Sequence, residues 1–232
     1  MNIVGIIGGI APESTVVYYK EITSSFLRRN KGNDYPQIIV NSINMKTMLD
    51  YLAVNNLDGL TDFLLVEIER LVNAGATVGL LASNTPHIVF DRLEKESPIP
   101  LLSIVELACR EARAQSLKRV GLFGTRFTMQ NTFYRDLFSR EGIAIVTPDE
   151  ISQGYIHDIY FSELVKGVVL ETTKRHLLQI ADQMMVEENI DGLVLGGTEL
   201  SLILKNSVRD IPFLDTTQIH IEGILKYILI DG

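Results

Sequence analysis

Val78-Gly79-Leu80-Leu81-Ala82-Ser83-Asn84-Thr85-Pro86-His87 begins as an unbroken apolar run and ends as a run of hydrogen-bonding side chains. A strand without polar alternation belongs in a parallel sheet covered on both faces. A second stretch, Asp191-Gly192-Leu193-Val194-Leu195-Gly196-Gly197-Thr198-Glu199, repeats that order of apolar run and polar end. Val4-Gly5-Ile6-Ile7-Gly8-Gly9 and Val120-Gly121-Leu122-Phe123-Gly124-Thr125 form another matched pair. Val4 and Val120 are 116 residues apart, and Val78 and Asp191 are 113 apart, nearly one offset, which predicts an internal duplication.

Working outward, short apolar runs over 2–7, 37–42, 78–82, 101–104, 119–124, 143–146, 192–195 and 212–214 read as strands. Helical periodicity alternates with them over 16–28, 58–73, 105–115, 130–140, 152–166, 172–188 and 218–230. In the second of these, Leu60, Leu64, Ile68, Leu71 and Val72 form one buried stripe, and Gly75 supplies the stop. Alternating strands and helices predict an α/β protein. Two pseudo-symmetric domains are expected, each a small parallel sheet flanked by helices, with a cleft between them. The break at Pro98-Ile99-Pro100 separates the halves. Ligands of open sheets bind beyond the carboxyl ends of the strands, where these glycine- and threonine-rich turns fall.

Of 232 residues, 46% are hydrophobic and 22% charged, ordinary proportions for a globular chain. A net charge of -8 without any block of Lys or Arg argues against a nucleic-acid partner. The apolar runs fall far short of the roughly 20 residues that span a bilayer, and no charged leader opens the chain, so a cytoplasmic protein without membrane association is expected. A single cysteine, Cys109, excludes an internal disulfide. It shares a helical face with Val105 and reads as a buried structural thiol. His157, His176 and His220 are isolated, without metal-ligand spacing, so no metal is expected.

Gly8-Gly9-Ile10-Ala11-Pro12-Glu13-Ser14-Thr15 suits two roles: an anion cradle of backbone N–H groups at a helix N-terminus, or simply a tight strand-to-helix turn. Ser83-Asn84-Thr85 can bond a carboxylate or an amino group, and Thr198-Glu199 adds a hydroxyl and an anion able to hold an ammonium. The same residue types also cap helices, with Pro86 in the first turn and His87 one turn inside. Lys46, Arg126 and Lys166 follow apolar elements, where they could meet a ligand's side-chain carboxylate.

Together these stretches resemble the aspartate/glutamate racemase family, cofactor-independent enzymes that invert amino acids with two cysteines on opposite faces of the α-carbon. The resemblance also runs through Ser42-Ile43-Asn44, Gly124-Thr125-Arg126-Phe127-Thr128-Met129, Gly196-Gly197-Thr198-Glu199-Leu200 and Asp215-Thr216-Thr217-Gln218-Ile219-His220. It implies no cofactor, a small acidic amino acid or dicarboxylate as ligand, and a homodimer. Residues 1–98 plus 209–232 are expected to form the first domain and 99–208 the second. It assigns Gly9, Ile10, Asn84, Thr85, Thr125, Thr128 and Thr198 to substrate binding, with Lys46 and Lys166 as the added cations.

The departure lies at the cysteines. The first falls at Ser83 and the second at Gly197. Some family members replace the first with Thr or Ala but keep the second; this chain has neither. A thiolate suits proton transfer because its pKa can be tuned near the working pH. Serine would need a neighbour such as His87 to take its proton, and on the other face Glu199 or a water would have to substitute. A glycine at 197 is also expected to leave room for a bulkier ligand or an ordered water. Three readings follow: an amino-acid racemase, an isomerase by descent; a different isomerisation, lyase or decarboxylase reaction in the same pocket; and a catalytically silent metabolite binder.

Overall fold

The computed structural model describes residues 2–30, 34–204 and 209–230. The chain divides into two compact units, one of Met1–Ser103 with His220–Gly232 and the other of Ile104–Ile219.

The first unit holds a parallel sheet of β1 (Ile3–Gly8), β2 (Gln37–Ser42), β3 (Val78–Leu81) and β4 (Leu101–Leu102), in the order β2-β1-β3-β4. Every pairing is parallel, with Val4 opposite both Ile38 and Val78. Helices α1 (Pro12–Arg29), α2 (Met45–Ala53), α3 (Leu57–Asn73) and α4 (Phe90–Glu96) connect the strands. All four residues of β3 are buried, as its lack of alternation requires, whereas edge strand β2 is partly exposed. Leu60, Leu64, Ile68 and Leu71 of the α3 stripe are buried as read, whereas Val72 is only half-buried, and α3 packs on β1 and β2. Across the sheet, Val4, Ile6, Val78 and Leu80 pack with Tyr18, Ile22 and Phe26 of α1 and with Ile221, Ile224, Leu225 and Ile228 near the chain's end. Each fully buried aliphatic side chain contributes about 1.5–3 kcal/mol against exposure.

The second unit repeats the plan. Its parallel sheet contains β5 (Arg119–Gly124), β6 (Ala144–Val146), β7 (Gly192–Gly196) and β8 (Phe213–Asp215), in the order β6-β5-β7-β8. Its helices are α5 (Ile104–Ala114), α6 (Arg126–Gln130), α7 (Phe133–Arg140), α8 (Glu150–Ser162), α9 (Glu171–Glu187) and α10 (Thr198–Leu204); α11 (Thr216–Ile230) starts here. One face of the sheet, Phe123, Leu193 and Leu195, packs with Ile156, Tyr160, Leu177 and Met184; the other, Val120, Leu122 and Val194, packs with Val105, Cys109, Tyr134 and Phe138. Thus β5 and β7 stand where β1 and β3 stand, the correspondence read from the sequence echo.

Several boundaries differ from the sequence reading. Strand β4, placed by sequence in the second domain, hydrogen-bonds with β3 in the first sheet, and β8, placed in the first, pairs with β7 in the second. The chain therefore crosses over after Ser103 and again inside α11 at His220, not at 98 and 208. Pairing across a sheet edge decides membership, and the Pro98 and Pro100 break is only the turn before β4. The helix expected over 130–140 is two helices broken at Asn131, whose side chain accepts from Thr132 N (2.8 Å) and Phe133 N (3.3 Å), an alternative to helical hydrogen bonding. The helix expected over 152–166 ends at Ser162, followed by a 3₁₀ turn Leu164–Lys166 closed by left-handed Gly167.

Candidate functional site

In the first unit the carboxyl ends of β1 and β3 are stitched together. Ala82 N donates to Ile7 O and Ile43 N to Gly8 O, both at 2.9 Å. Ser14 Oγ lies 2.8 Å from Ala11 O and 3.2 Å from Ala82 O, so one hydroxyl serves both the β1–α1 turn and the end of β3. Gly9 adopts φ +81°, and a β carbon there would lie 2.3 Å from Ile43 O. Its N–H donates to Thr15 Oγ1 at 2.8 Å. The amide that an anion cradle would use is thus engaged within the turn, and Ile10 beside it is buried.

Beyond β3, Ser83, Asn84, Thr85 and His87 are all buried. Asn84 has helical backbone angles and makes no side-chain cap bond to the following 3₁₀ turn Thr85–Val89, so capping is not its role. His87 stands in that turn, not inside an α-helix. Its Nδ1 meets Ser83 O at 2.9 Å, and a carbonyl only accepts, so this nitrogen carries the proton and donates. The ring nitrogen that meets residue 83 secures the backbone and is no base for the Ser83 hydroxyl. Burial lowers the His87 pKa to about 3, with the neighbouring His220 as the second cause. His87 is therefore neutral and stacks on Phe90 with centroids 4.8 Å apart.

In the second unit the polar ends are those of β5, β7 and β8. Thr125 caps α6, accepting from Thr128 N at 3.3 Å, and the two buried hydroxyls are 3.2 Å apart. Capping therefore accounts for Thr125 in part. Thr216 Oγ1 donates to Leu195 O at 2.7 Å, tying β8 to β7. Thr217 Oγ1 is buried and has no hydrogen-bond partner among the described residues. A buried hydroxyl left so costs about 1–3 kcal/mol, and such groups call for an explanation.

At the end of β7, Glu199 is fully buried and its Oε2 accepts from Thr198 Oγ1 at 2.7 Å and from the Tyr160 hydroxyl of α8. Tyr160 also answers the question of space at Gly197. A β carbon on Gly197 would lie 2.6 Å from Tyr160 Cε2 and 3.3 Å from both Cζ and the hydroxyl oxygen. The room expected for a ligand or a water is filled by an aromatic ring.

Lys46 and Lys166 are not gathered into these clusters. Lys46 Nζ is exposed and held by Asp50 at 2.6 Å, one turn along α2, and Lys166 is exposed in its 3₁₀ turn. Arg126 is exposed as well. Among the described residues no group of three or more His, Cys, Asp or Glu stands where it could hold a metal ion, and no helix is long and apolar enough to cross a membrane. Cys109 is buried, and burial pushes its thiol up to about 11, which makes it unreactive. It borders a surface cavity of about 240 Å³ with Leu137 and Arg140, rimmed by the ion pair Arg113–Glu141.

A model of the family described as Asp/Glu/Hydantoin racemase matches residues 7–224. The chain belongs to the Asp/Glu/hydantoin racemase family. This racemase-family chain is 30% identical to a protein of Yersinia pestis provisionally described as an Asp/Glu racemase, with a TM-score of 0.89 covering 99% of this chain and 100% of that one. It is likewise 30% identical to an aspartate racemase homologue from Pyrococcus horikoshii OT3, with a TM-score of 0.84 over 98% of this chain and 99% of that one. The broad specificity amino-acid racemase RacX of Bacillus subtilis (strain 168) is 22% identical over 220 residues, 92% of each chain. Sequence reading of this racemase-family chain singled out neither Tyr160 nor Thr217. Asp215-Thr216-Thr217 at a strand end was a usable signal for the second; nothing local marks the first, which lies 37 residues before Gly197 on a different element.

Proposed function

We propose that this racemase-family protein binds a small acidic amino acid through the polar groups at its strand ends. One observation carries the reading: within each unit buried polar side chains lie just beyond the carboxyl ends of the strands, Ser83, Asn84 and Thr85 after β3 in the first, and Thr125, Thr128, Thr198, Glu199 and Thr217 after β5, β7 and β8 in the second. This edge is where open parallel sheets take ligands, and at it Thr217 Oγ1 is buried without a hydrogen-bond partner among the described residues. In the second unit Thr217 offers a donor for a carboxylate and Glu199 an anion for the ammonium. Calorimetry with both enantiomers of aspartate and glutamate and with plain dicarboxylic acids tests it. Heat from at least one acidic amino acid is expected; no heat from any of them, with the protein folded, rejects the reading.

By descent the activity is that of an amino-acid isomerase without a cofactor. The contact between Gly197 and Tyr160 favours a second reading for the chemistry, in which two-base inversion is absent. Incubating L-aspartate with the protein in deuterated water is expected to give negligible inverted, α-deuterated product. Efficient inversion with deuterium uptake would restore the full racemase reading. We also assign a homodimer, supported by the family resemblance and by the exposed Val16 and Tyr19 of α1. A monomeric mass by light scattering at all concentrations rejects it.

A further inference from the structure

Gly197 is not among the glycines with left-handed backbone, which are Gly9, Gly75, Gly142 and Gly167. Its own φ therefore admits any L-residue, and what demands glycine is the neighbour. That neighbour cannot yield cheaply. Tyr160 is 6% exposed, belongs to the core cluster of α8, α9 and β7, and its hydroxyl is bonded to Glu199. Position 197 is also where the resemblance places the second cysteine.

We infer that Tyr160 has taken the space of that cysteine side chain and serves as the positioning residue for Glu199, so that the β7 end holds the ammonium of an amino acid and supplies no second base. This inference rests on the ligand reading above for its chemistry but not for its packing. Tyr160 keeps its proton, because burial and the adjacent Glu199 both raise its pKa well above the ordinary phenol range. The neutral hydroxyl can therefore donate its proton to Glu199. With Thr198 as the second donor, both hydroxyls converge on Oε2 and fix the carboxylate plane. Hydrogen bonds to a charged acceptor are roughly twice as strong as neutral ones, so the pair orients Glu199 firmly. The selectivity that follows is for ligands that carry an ammonium over those that carry carboxylates alone.

Two measurements separate the parts. The packing is read from a thermal cycle of Gly197→Ala, Tyr160→Leu and the double variant. Gly197→Ala alone is expected to lower Tm by about 5 °C through overpacking. In the Tyr160→Leu background the same change is expected to cost far less, and a double variant that folds while Gly197→Ala does not is the same result in stronger form. Additive losses, or a double variant that fails to fold where Tyr160→Leu folds, overturn the packing inference. The positioning is read from Tyr160→Phe, which keeps the ring and removes the hydroxyl. Its affinity for L-aspartate is expected to fall about tenfold, as for loss of a hydrogen bond to a charged group, with affinity for succinate unchanged. Equal loss for both ligands, or no loss for either, overturns the positioning role. If neither ligand binds the unaltered protein, the ligand reading falls, while the thermal cycle still decides the packing.

Discussion

The hydroxyl of Tyr18 lies 2.8 Å from Nδ1 of His220, joining residues 202 positions apart inside the first unit. His220 Nε2 meets Leu102 O at 2.9 Å, and because a carbonyl only accepts, that nitrogen carries the proton. Nδ1 therefore accepts from Tyr18, and the ring is neutral. One imidazole thus links α1, β4 and α11, holding the returning end of the chain on the first sheet.

This arrangement predicts acid sensitivity well above the range where carboxylates titrate. Burial lowers His220 to about 4 and His87 to about 3. Both folded values lie below the unfolded value near 6.5, so the unfolded chain takes up protons first and stability falls as pH drops through that value. Each histidine adds a slope of up to about 1.4 kcal/mol per pH unit between roughly pH 6 and its folded value. Urea midpoints at pH 7, 6, 5 and 4.5 should decline steadily, and less steeply for His220→Gln. A flat profile down to pH 4.5 refutes the neutral, buried assignment.

Restoring the two cysteines should be tolerated unequally. Ser83→Cys is nearly isosteric, and a change below about 1 kcal/mol is expected. Gly197→Cys forces a β carbon to within 2.6 Å of the Tyr160 ring and should cost about 2–4 kcal/mol. Chemical denaturation of the two single variants makes the comparison; equal stabilities would show that the ring moves aside freely.

Gly9 is required on two counts. Its φ of +81° disfavours any side chain, and a β carbon would stand 2.3 Å from Ile43 O, a backbone atom. Gly9→Ala is therefore expected to lose about 2–4 kcal/mol, more than most surface glycines. Gly142→Ala is the control: its φ is +71°, but nothing lies within 4 Å of the added carbon, so strain acts there alone and the loss should be about 1 kcal/mol. Similar losses at both positions would remove the steric half of this account.

Asp149 sets the start of α8, the helix that carries Tyr160. Its Oδ1 accepts from Ile151 N at 2.9 Å and from Ser152 N at 3.0 Å. A hydrogen bond from the Ser152 hydroxyl, more than any other cause, holds its carboxyl below the usual value. Asp149→Ala should cost about 1 kcal/mol. Asp149→Asn keeps an acceptor and should recover most of it; no recovery in a melting experiment would place the effect elsewhere than in the cap.

Much of the architecture was legible in the residues themselves. Strands such as 119–124 and 192–195 stand where their apolar runs put them, because a parallel strand covered on both faces leaves no choice of side-chain type. The echo between Val4 and Val120 and between Val78 and Asp191 anticipated two small parallel sheets built on one plan. Helix α2 and the short α6 and α10 were not legible: they are five to nine residues long, too few turns for a periodic stripe to stand out. The polar ends at Ser83-Asn84-Thr85 and Thr198-Glu199 were visible as residue types after an apolar run.

What the sequence by itself determined is the α/β class, the repeated plan of the two halves and the absence of both cysteines, since these follow from local pattern and residue identity. Only the tertiary structure decided what became of the space at Gly197, which sheet holds β4 and β8, and why His87 and His220 are neutral. Those outcomes depend on which side chain arrives from a distant element and on how completely water is excluded. Spacing along the chain encodes neither.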